Sequence, residues 1–452
     1  MNLIEWTDDH IPCRGEGFDD GRVKRHFNLT EMHGEREFIR QAHLADVDGD
    51  GRPEIVCRTM NANRARCLRS DDGSTLWVSP DLVPPPEESS QVSQIGVADI
   101  DDDGRPEVIL ATYDGDVICI DATDGSVKWH RRLDWHINNP RLDIKKATAS
   151  PGKNVALTVG TDFDVVNLHG RPRINFVRNP SLVLLNGKGE TELMVPEYAE
   201  HNGNGHNTWM FDIDGDGLCE VCCSADREII WFDQDGSVIC RIPCEGEEGD
   251  RNTHPDCLLA CDWDESRPGR EILYLDGIDG RVVSDRHGEV LQRRLYPKEV
   301  ASHLQELFLL PQPEGEVLLG ANIRSPESKL LCFNGDLEVS WAAMGAGDII
   351  PSAADWDGDG VDEIVGGTIG AGTLNPTGAP ECYLYVMDAD GTPIYRHRWD
   401  GFTHSSVLAT GDIDGDGREE ALVSVGTPNG PEGRFSLRKG SEEHLCVLGM
   451  MS

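Results

Sequence analysis

The chain has 452 residues, with 81 Asp and Glu against 41 Lys and Arg, for a formal net charge of −40. Such an acid surplus repels phosphate backbones and excludes nucleic acid as a partner. No stretch approaches the roughly eighteen apolar residues of a membrane span, and 49 Gly with 25 Pro describe a chain that turns often.

At the N-terminus, MNLIEWTDD has neither a basic region nor an apolar core, so no secretory leader is read. The 14 cysteines sit mostly where Val would suit a strand, as at Cys57, Cys119, Cys222, Cys240, Cys332 and Cys446. That usage fits buried free thiols in a reducing compartment and predicts a cytoplasmic protein. A leader removed from the chain would make it secreted or periplasmic instead. Residues 1–29 end in DGRVKRHFNL (Asp20–Leu29), which reads like DGSVKWHRRL (Asp124–Leu133). Residues 444–449 read like a strand that precedes such a turn, and then the chain stops. The N-terminal strand is therefore expected to complete the C-terminal unit.

Acidic runs of the form Asp-x-Asp-x-Asp-Gly-x-x-Glu then recur. In chain order they supply Asp46, Asp48, Asp50 and Glu54; Asp99, Asp101, Asp103 and Glu107; Asp212, Asp214, Asp216 and Glu220; Asp355, Asp357, Asp359 and Glu363; and Asp412, Asp414, Asp416 and Glu420. A variant with one extra residue supplies Asp262, Asp264 and Glu271. Alternating carboxylates around a Gly turn offer the oxygen shell that Ca²⁺ takes. The Glu comes too early for the twelfth position of an EF-hand, and the flanks (Pro53–Val56, Pro106–Leu110) read as strands rather than helices. Several structural Ca²⁺ sites are expected.

Gly-containing turns follow at Gly73, Gly125, Gly189, Gly236, Gly288, Gly335 and Gly391, with an eighth at Gly21. They divide the chain into units of about fifty residues, each able to supply four short strands. The fold class predicted is all-β: an eight-bladed β-propeller of four-stranded antiparallel blades over 43–452, closed by residues 1–29 and forming a single domain over 1–452. Seven blades is the alternative count. The third unit (about 145–195) and the sixth (about 303–341) keep their strands but lose the acidic loop, so neither should hold a metal.

The acidic loop with its Glu-Ile-Val strand resembles the FG-GAP or VCBS-type repeat of calcium-bearing propellers. The variant DWDESRPGRE (Asp262–Glu271) is similar to a blade of rhamnogalacturonan lyases, eight-bladed propellers that cleave uronic-acid polysaccharides by β-elimination. Ulvan-type lyases are comparable relatives. The N-terminal β-sandwich-like portion of the rhamnogalacturonan lyases is absent. DATDGSVKW (Asp121–Trp129) also resembles a quinone-cofactor propeller repeat, but the acidic loops argue against that reading.

Residues preceding each innermost strand should gather at the propeller mouth opposite the calcium loops. They are His43, Gln94, the segment from His136 to Lys145, His201 and His206, Arg251 and His254, His303, Asp348, and His404. Elimination beside a uronate needs a neutralised carboxylate, a base and an acid. The candidates are His206 or His254 as base, Tyr198 or His201 as acid, and Arg251 or Arg173 on the carboxylate, with His404 nearby. Trp209 could stack on a sugar ring, and His43, Arg171, Arg178 and Arg324 could bind an anionic chain. Long loops are expected over 162–180 and 370–380. Three imidazoles (His206, His254, His404) would also suit a further divalent ion such as zinc or manganese. The expected function is a polysaccharide lyase acting on an anionic polysaccharide or oligosaccharide as a monomer. The rival is a non-catalytic calcium-dependent carbohydrate- or protein-binding propeller.

Overall fold

A computed structural model describes residues 2–5, 14–33, 39–59, 64–80, 92–112, 114–137, 142–168, 171–199, 208–225, 228–244, 257–264, 266–275, 279–284, 287–297, 304–322, 329–344, 351–367, 381–402, 404–426 and 442–450. They form an all-β fold, the four-stranded antiparallel blades of a β-propeller, with a single short helix at Leu29–His33 among the described residues. The chain packs as two compact units, one of residues 1–61, 68–76 and 301–452, the other of 62–67 and 77–300. The division runs through the first sheet, Ile39–Ala45, Glu54–Thr59, Ala65–Leu68 and Thr75–Val78.

The second unit holds four sheets in chain order. The second sheet is Val92–Ala98, Glu107–Thr112, Asp116–Asp121 and Val127–Arg132. In the third, His136–Ile137 and Asp143–Lys145 both pair with Asn154–Gly160, followed by Ser181–Leu185 and Thr191–Val195. The fourth runs from Thr208 to Pro243 and the fifth from Leu258 to Leu295. The first unit holds the sixth sheet (Leu304 to Met344), the seventh (Ser352 to Asp400) and the eighth, His404–Gly411, Glu420–Gly426 and Glu443–Leu448. The third and sixth sheets form although their acidic loops are lost, as their apolar runs require.

The strands follow from burial on both faces. Glu107–Thr112, Asn154–Gly160 and Glu420–Gly426 are buried at every residue, so they read as continuous Val, Leu, Ile and Ala runs. By contrast, Val127–Arg132 is largely exposed and reads as polar. Successive sheets share apolar layers: Ile109, Val117, Val155 and Val183 between the second and third, and Trp356, Tyr395, Trp399 and Val423 between the seventh and eighth. Each fully buried side chain of this size contributes about 1.5–3 kcal/mol.

The recurring turn and the Trp before it form one device. Trp77 donates its indole N–H to the Ala122 carbonyl (2.7 Å), and Trp129 does the same to Gly187 (2.8 Å), in each case at the turn of the next sheet. Gly125 (φ 77°) and Gly189 (φ 75°) lie against those indoles, where an added Cβ would sit 2.8 and 2.7 Å from ring carbons. Positive φ and the close ring both select Gly at these turns.

Val23–Asn28 pairs antiparallel with Glu443–Leu448 and completes the eighth sheet, as expected. The segment before it does more than the sequence suggested. Asn2–Glu5 adds a parallel fifth strand to Val339–Met344, and Arg14–Glu16 adds one to Pro393–Asp400. A second difference lies between strands of the third sheet, where the sequence reads as a long loop over 162–180. Asp162–Leu168 and Arg171–Arg178 instead form a two-stranded antiparallel ribbon. The alternation Asp162, Phe163, Asp164, Val165 carries the period of a strand.

Candidate metal centres

The five regular acidic runs close into the same turn. The first Asp accepts from two loop N–H groups: Asp46 from Gly49 (2.7 Å) and Gly51 (2.9 Å), Asp212 from Gly215 (2.7 Å) and Gly217 (3.1 Å), and Asp412 from Gly415 (2.7 Å) and Gly417 (3.0 Å). The third Asp accepts from the N–H two residues on, as Asp50 does from Arg52 (2.8 Å) and Asp359 from Val361 (2.9 Å). Gly at the fourth position takes positive φ, 80° at Gly49 and 79° at Gly358. The second run has Asp102 there at φ 61°, and its carboxylate accepts from Gly152 N–H at 2.7 Å.

The closing Glu lies beneath the turn. One oxygen accepts the N–H that follows the first Asp, in Glu54 from Val47 (3.0 Å), Glu107 from Ile100 (2.9 Å), Glu220 from Ile213 (2.9 Å), Glu363 from Trp356 (2.7 Å) and Glu420 from Ile413 (2.9 Å). All five are at most 3% exposed. Burial pushes the Glu54, Glu107, Glu363 and Glu420 carboxyls above their usual range, Glu363 to about 7, with the loop N–H pulling each one back.

Five sets of carboxylate oxygens converge within 4.8 Å of one another: Asp46, Asp48 and Asp50; Asp99, Asp101 and Glu107; Asp212, Asp214 and Asp216; Asp355, Asp357 and Asp359; and Asp412, Asp414 and Glu420. An all-oxygen, anionic donor set on a tight loop matches a hard cation such as Ca²⁺. The variant run does not join these sets. Its Asp264 accepts from Ser266 N–H (3.1 Å) and pairs with the Arg267 guanidinium (3.3 Å), while Glu271 caps Trp263 N–H (2.9 Å).

Two loops contain an ammonium. Lys128 Nζ lies 2.8 Å from Asp101, 2.7 Å from Glu107 and 3.8 Å from Asp103. Lys24 Nζ lies 2.5 Å from Glu420, 3.0 Å from Asp416 and 3.1 Å from Asp414. Partial burial draws both ammoniums down, but their carboxylate hydrogen bonds outweigh it and hold both above the ordinary lysine range. Sequence reasoning missed both residues. The signal was present in the shared Asp-Gly-x-Val-Lys of 20–24 and 124–128.

The expected sugar site is less complete. His201, His206, Arg251, His254, His303, Arg324, Asp348 and the 370–380 insertion lie outside the described residues. Tyr198 is a core residue, 4% exposed, with its hydroxyl 3.3 Å from Thr158 Oγ1 and its ring against Phe232. Burial raises its phenol far above the usual value. Trp209 is half-buried against the core shared by the fourth and fifth sheets. His43 is half-buried opposite Val56, and His404 opens its strand opposite Gly426. Arg171, Arg173 and Arg178 all fall on one strand of the ribbon. Lys145, in the expected mouth segment, donates to the Met210 carbonyl at 2.5 Å and lies over the Phe211 ring.

Comparison with known proteins agrees with this architecture. The FG-GAP-like repeat family matches residues 46–110, which span the first two acidic loops. No curated protein matches the sequence. Among solved structures, the chain is similar to Sqt1 of Saccharomyces cerevisiae (TM-score 0.60, 12% identity, covering 94% of this chain and 98% of that one). A europium-containing methanol dehydrogenase gives TM-score 0.60 at 8% identity, covering 95% and 93%. BamB of Moraxella catarrhalis gives 0.50 at 13%, covering 91% and 98%. At such identities the likeness is one of fold alone.

Proposed function

We propose that this chain is a calcium-braced propeller that binds an anionic carbohydrate without cleaving it. The observation that carries the calcium reading is the convergence of Asp oxygens above a buried Glu in loops 46–54, 212–220 and 355–363. Buried carboxylates with further anions stacked over them are costly unless a cation joins them. Asp46, Asp48, Asp50 and Glu54 would hold one ion, Asp212, Asp214, Asp216 and Glu220 a second, and Asp355, Asp357, Asp359 and Glu363 a third. When bound, the ion supplies charge neutralisation and rigidity to the turn between two strands. The match to the FG-GAP-like repeat supports the same reading.

Of the two acids the sequence offers for elimination, His201 lies outside the described residues and Tyr198 is closed off. A lyase acid must reach the leaving oxygen, and this hydroxyl is enclosed beside Thr158. The arginines of the 171–178 strand bring basic residues to one short segment of a very acidic chain, which suits a uronate-bearing ligand. The test pairs affinity with product formation on a panel of uronate polysaccharides, with calcium present. Binding without a rise in the ultraviolet absorbance of an unsaturated uronate supports the proposal, with loss of affinity expected in Arg171→Ala with Arg173→Ala. A rise that disappears in His206→Ala or His254→Ala would establish the lyase instead.

A further inference from the structure

In the second, fourth, seventh and eighth sheets the fourth strand has a bulge just after the Gly turn, and in the second and eighth the bulged side chain reaches the acidic loop of its own sheet. In the second sheet the register skips Lys128, and in the eighth it skips Lys24. The same position is Ile239 in the fourth sheet and Ile394 in the seventh. In the first sheet it is Leu76 by alignment of DGSTL with DGSVK. The three loops whose bulge residue is apolar gather three Asp oxygens. The two loops whose bulge residue is Lys gather two Asp oxygens and the buried Glu. The loops thus fall into the same two groups by the bulge residue and by the geometry of their carboxylates.

We propose that Lys24 and Lys128 are built-in cations: each ammonium fills the place that calcium takes in the other three loops, so loops 99–107 and 412–420 are metal-independent. The inference rests on the calcium reading for those other loops. An ammonium carries three N–H donors, which matches three carboxylates. Because it is tethered to the outermost strand of the same sheet, it is present without any association cost, and an incoming ion must displace it. Its lower charge is offset by the direct contacts to Asp101 and Glu107, or to Asp414, Asp416 and Glu420. Gln234 also reaches an acidic loop, donating to Asp216 at 2.9 Å, but a neutral amide leaves that loop's charge unchanged. Lys24 has a further consequence. It lies on the N-terminal strand and its partners on the C-terminal sheet, so the two ends of the chain are held together by an ion pair that chelation does not remove.

The test is the number of calcium ions bound by the full chain, measured by equilibrium dialysis, with melting temperature followed in chelator and in calcium. The wild type should bind three. Lys128→Met and Lys24→Met should each raise the count by one and make their loop's contribution to melting calcium-dependent. Asp48→Asn should lower the count by one, and Asp101→Asn should leave it at three. Should a Lys variant fail to fold, the contrast between Asp48→Asn and Asp101→Asn carries the same decision. Five ions in the wild type, unchanged in the Lys variants and reduced by Asp101→Asn, would overturn the proposal and leave the calcium reading intact. No ion in the wild type but one in Lys128→Met would keep the lysine assignment and remove calcium from the other loops. No ion in any form would overturn both.

Discussion

In the second sheet, Glu107 lies beneath an acidic loop and beside Lys128; in the third, the same two positions hold Asn154 and Glu192. The backbone requirement is unchanged. Asn154 Oδ1 accepts from Ala147 and Thr148 N–H (3.1 Å each), as Glu107 accepts from Ile100. The charge pattern is reversed. Where the acid under the loop becomes a neutral amide, the bulged residue changes from a cation to Glu192, which accepts from Asn154 Nδ2 and Thr148 Oγ1 at 2.7 Å. Its burial is outweighed by these hydrogen bonds, which hold the Glu192 carboxyl below its usual range. The strands tolerate either arrangement because what they need is an acceptor for one buried N–H. The loop's charge is a separate matter, settled between two side chains.

The sharpest way to break the comparison is to move one arrangement into the other sheet. Glu107→Asn alone leaves the Lys128 ammonium with fewer anions, and Lys128→Glu alone adds a sixth acid to a loop that already holds Asp99, Asp101, Asp102, Asp103 and Glu107. Either should cost about 1.5–3 kcal/mol, the range for losing a hydrogen bond to a charged group, since Glu107 is buried and Lys128 is not. The double variant should recover on the order of 1–2 kcal/mol of their sum, read from urea denaturation in chelator. Strict additivity would show that the two positions do not communicate.

Acid should separate the two lysine-bearing sheets. Only the eighth adds a histidine pair to the strands that Lys24 joins, with His26 Nε2 2.8 Å from His444 Nδ1 and both rings stacked with Phe18. Burial holds both imidazoles below the ordinary 6.5, and for His26 the His444 charge adds to it. Asp19, Glu31 and Glu442 pull the other way. A depressed imidazole favours the fold above pH 6.5, and that contribution is lost as pH falls below it, because the unfolded chain takes the proton first. Buried Glu443, raised far above its usual value, works in the opposite direction, so the comparison is between wild type and His26→Phe. The variant should lose less stability than the wild type between about pH 8 and pH 5, measured as urea midpoints. Equal losses would remove the pair from the account.

The smallest effect should come at the exposed rim of the second loop. Asp103 is 3.8 Å from Lys128 and half-exposed. Asp103→Asn should change stability by no more than about 1 kcal/mol, and a larger loss would mean that the ammonium depends on all the loop's anions equally.

Much of this was readable in advance, for definite reasons. The acidic turns, the Gly turns and the apolar runs are local, and each is dictated by a few adjacent residues: Asp46 takes its donors from Gly49 and Gly51. The 162–178 ribbon was missed although its alternation is visible, because charged ends and internal Pro and Gly resemble a loop. Asn2–Glu5 and Arg14–Glu16 were missed because short polar runs carry no strand signal; their pairing is imposed by the edges they meet. Tyr198 looked like a surface acid beside His201, and only the packing of Phe232 and Thr158 around it shows otherwise.

What the sequence determined by itself was the repeat of acidic loop, apolar strand and Gly turn, each legible in a few adjacent residues. What only the tertiary structure decided was which charges share a site. Lys24 and Glu420 are 396 positions apart along the chain, and no local rule relates them. They meet because the N-terminal strand pairs with the C-terminal sheet, and a Coulomb interaction depends on distance in space alone.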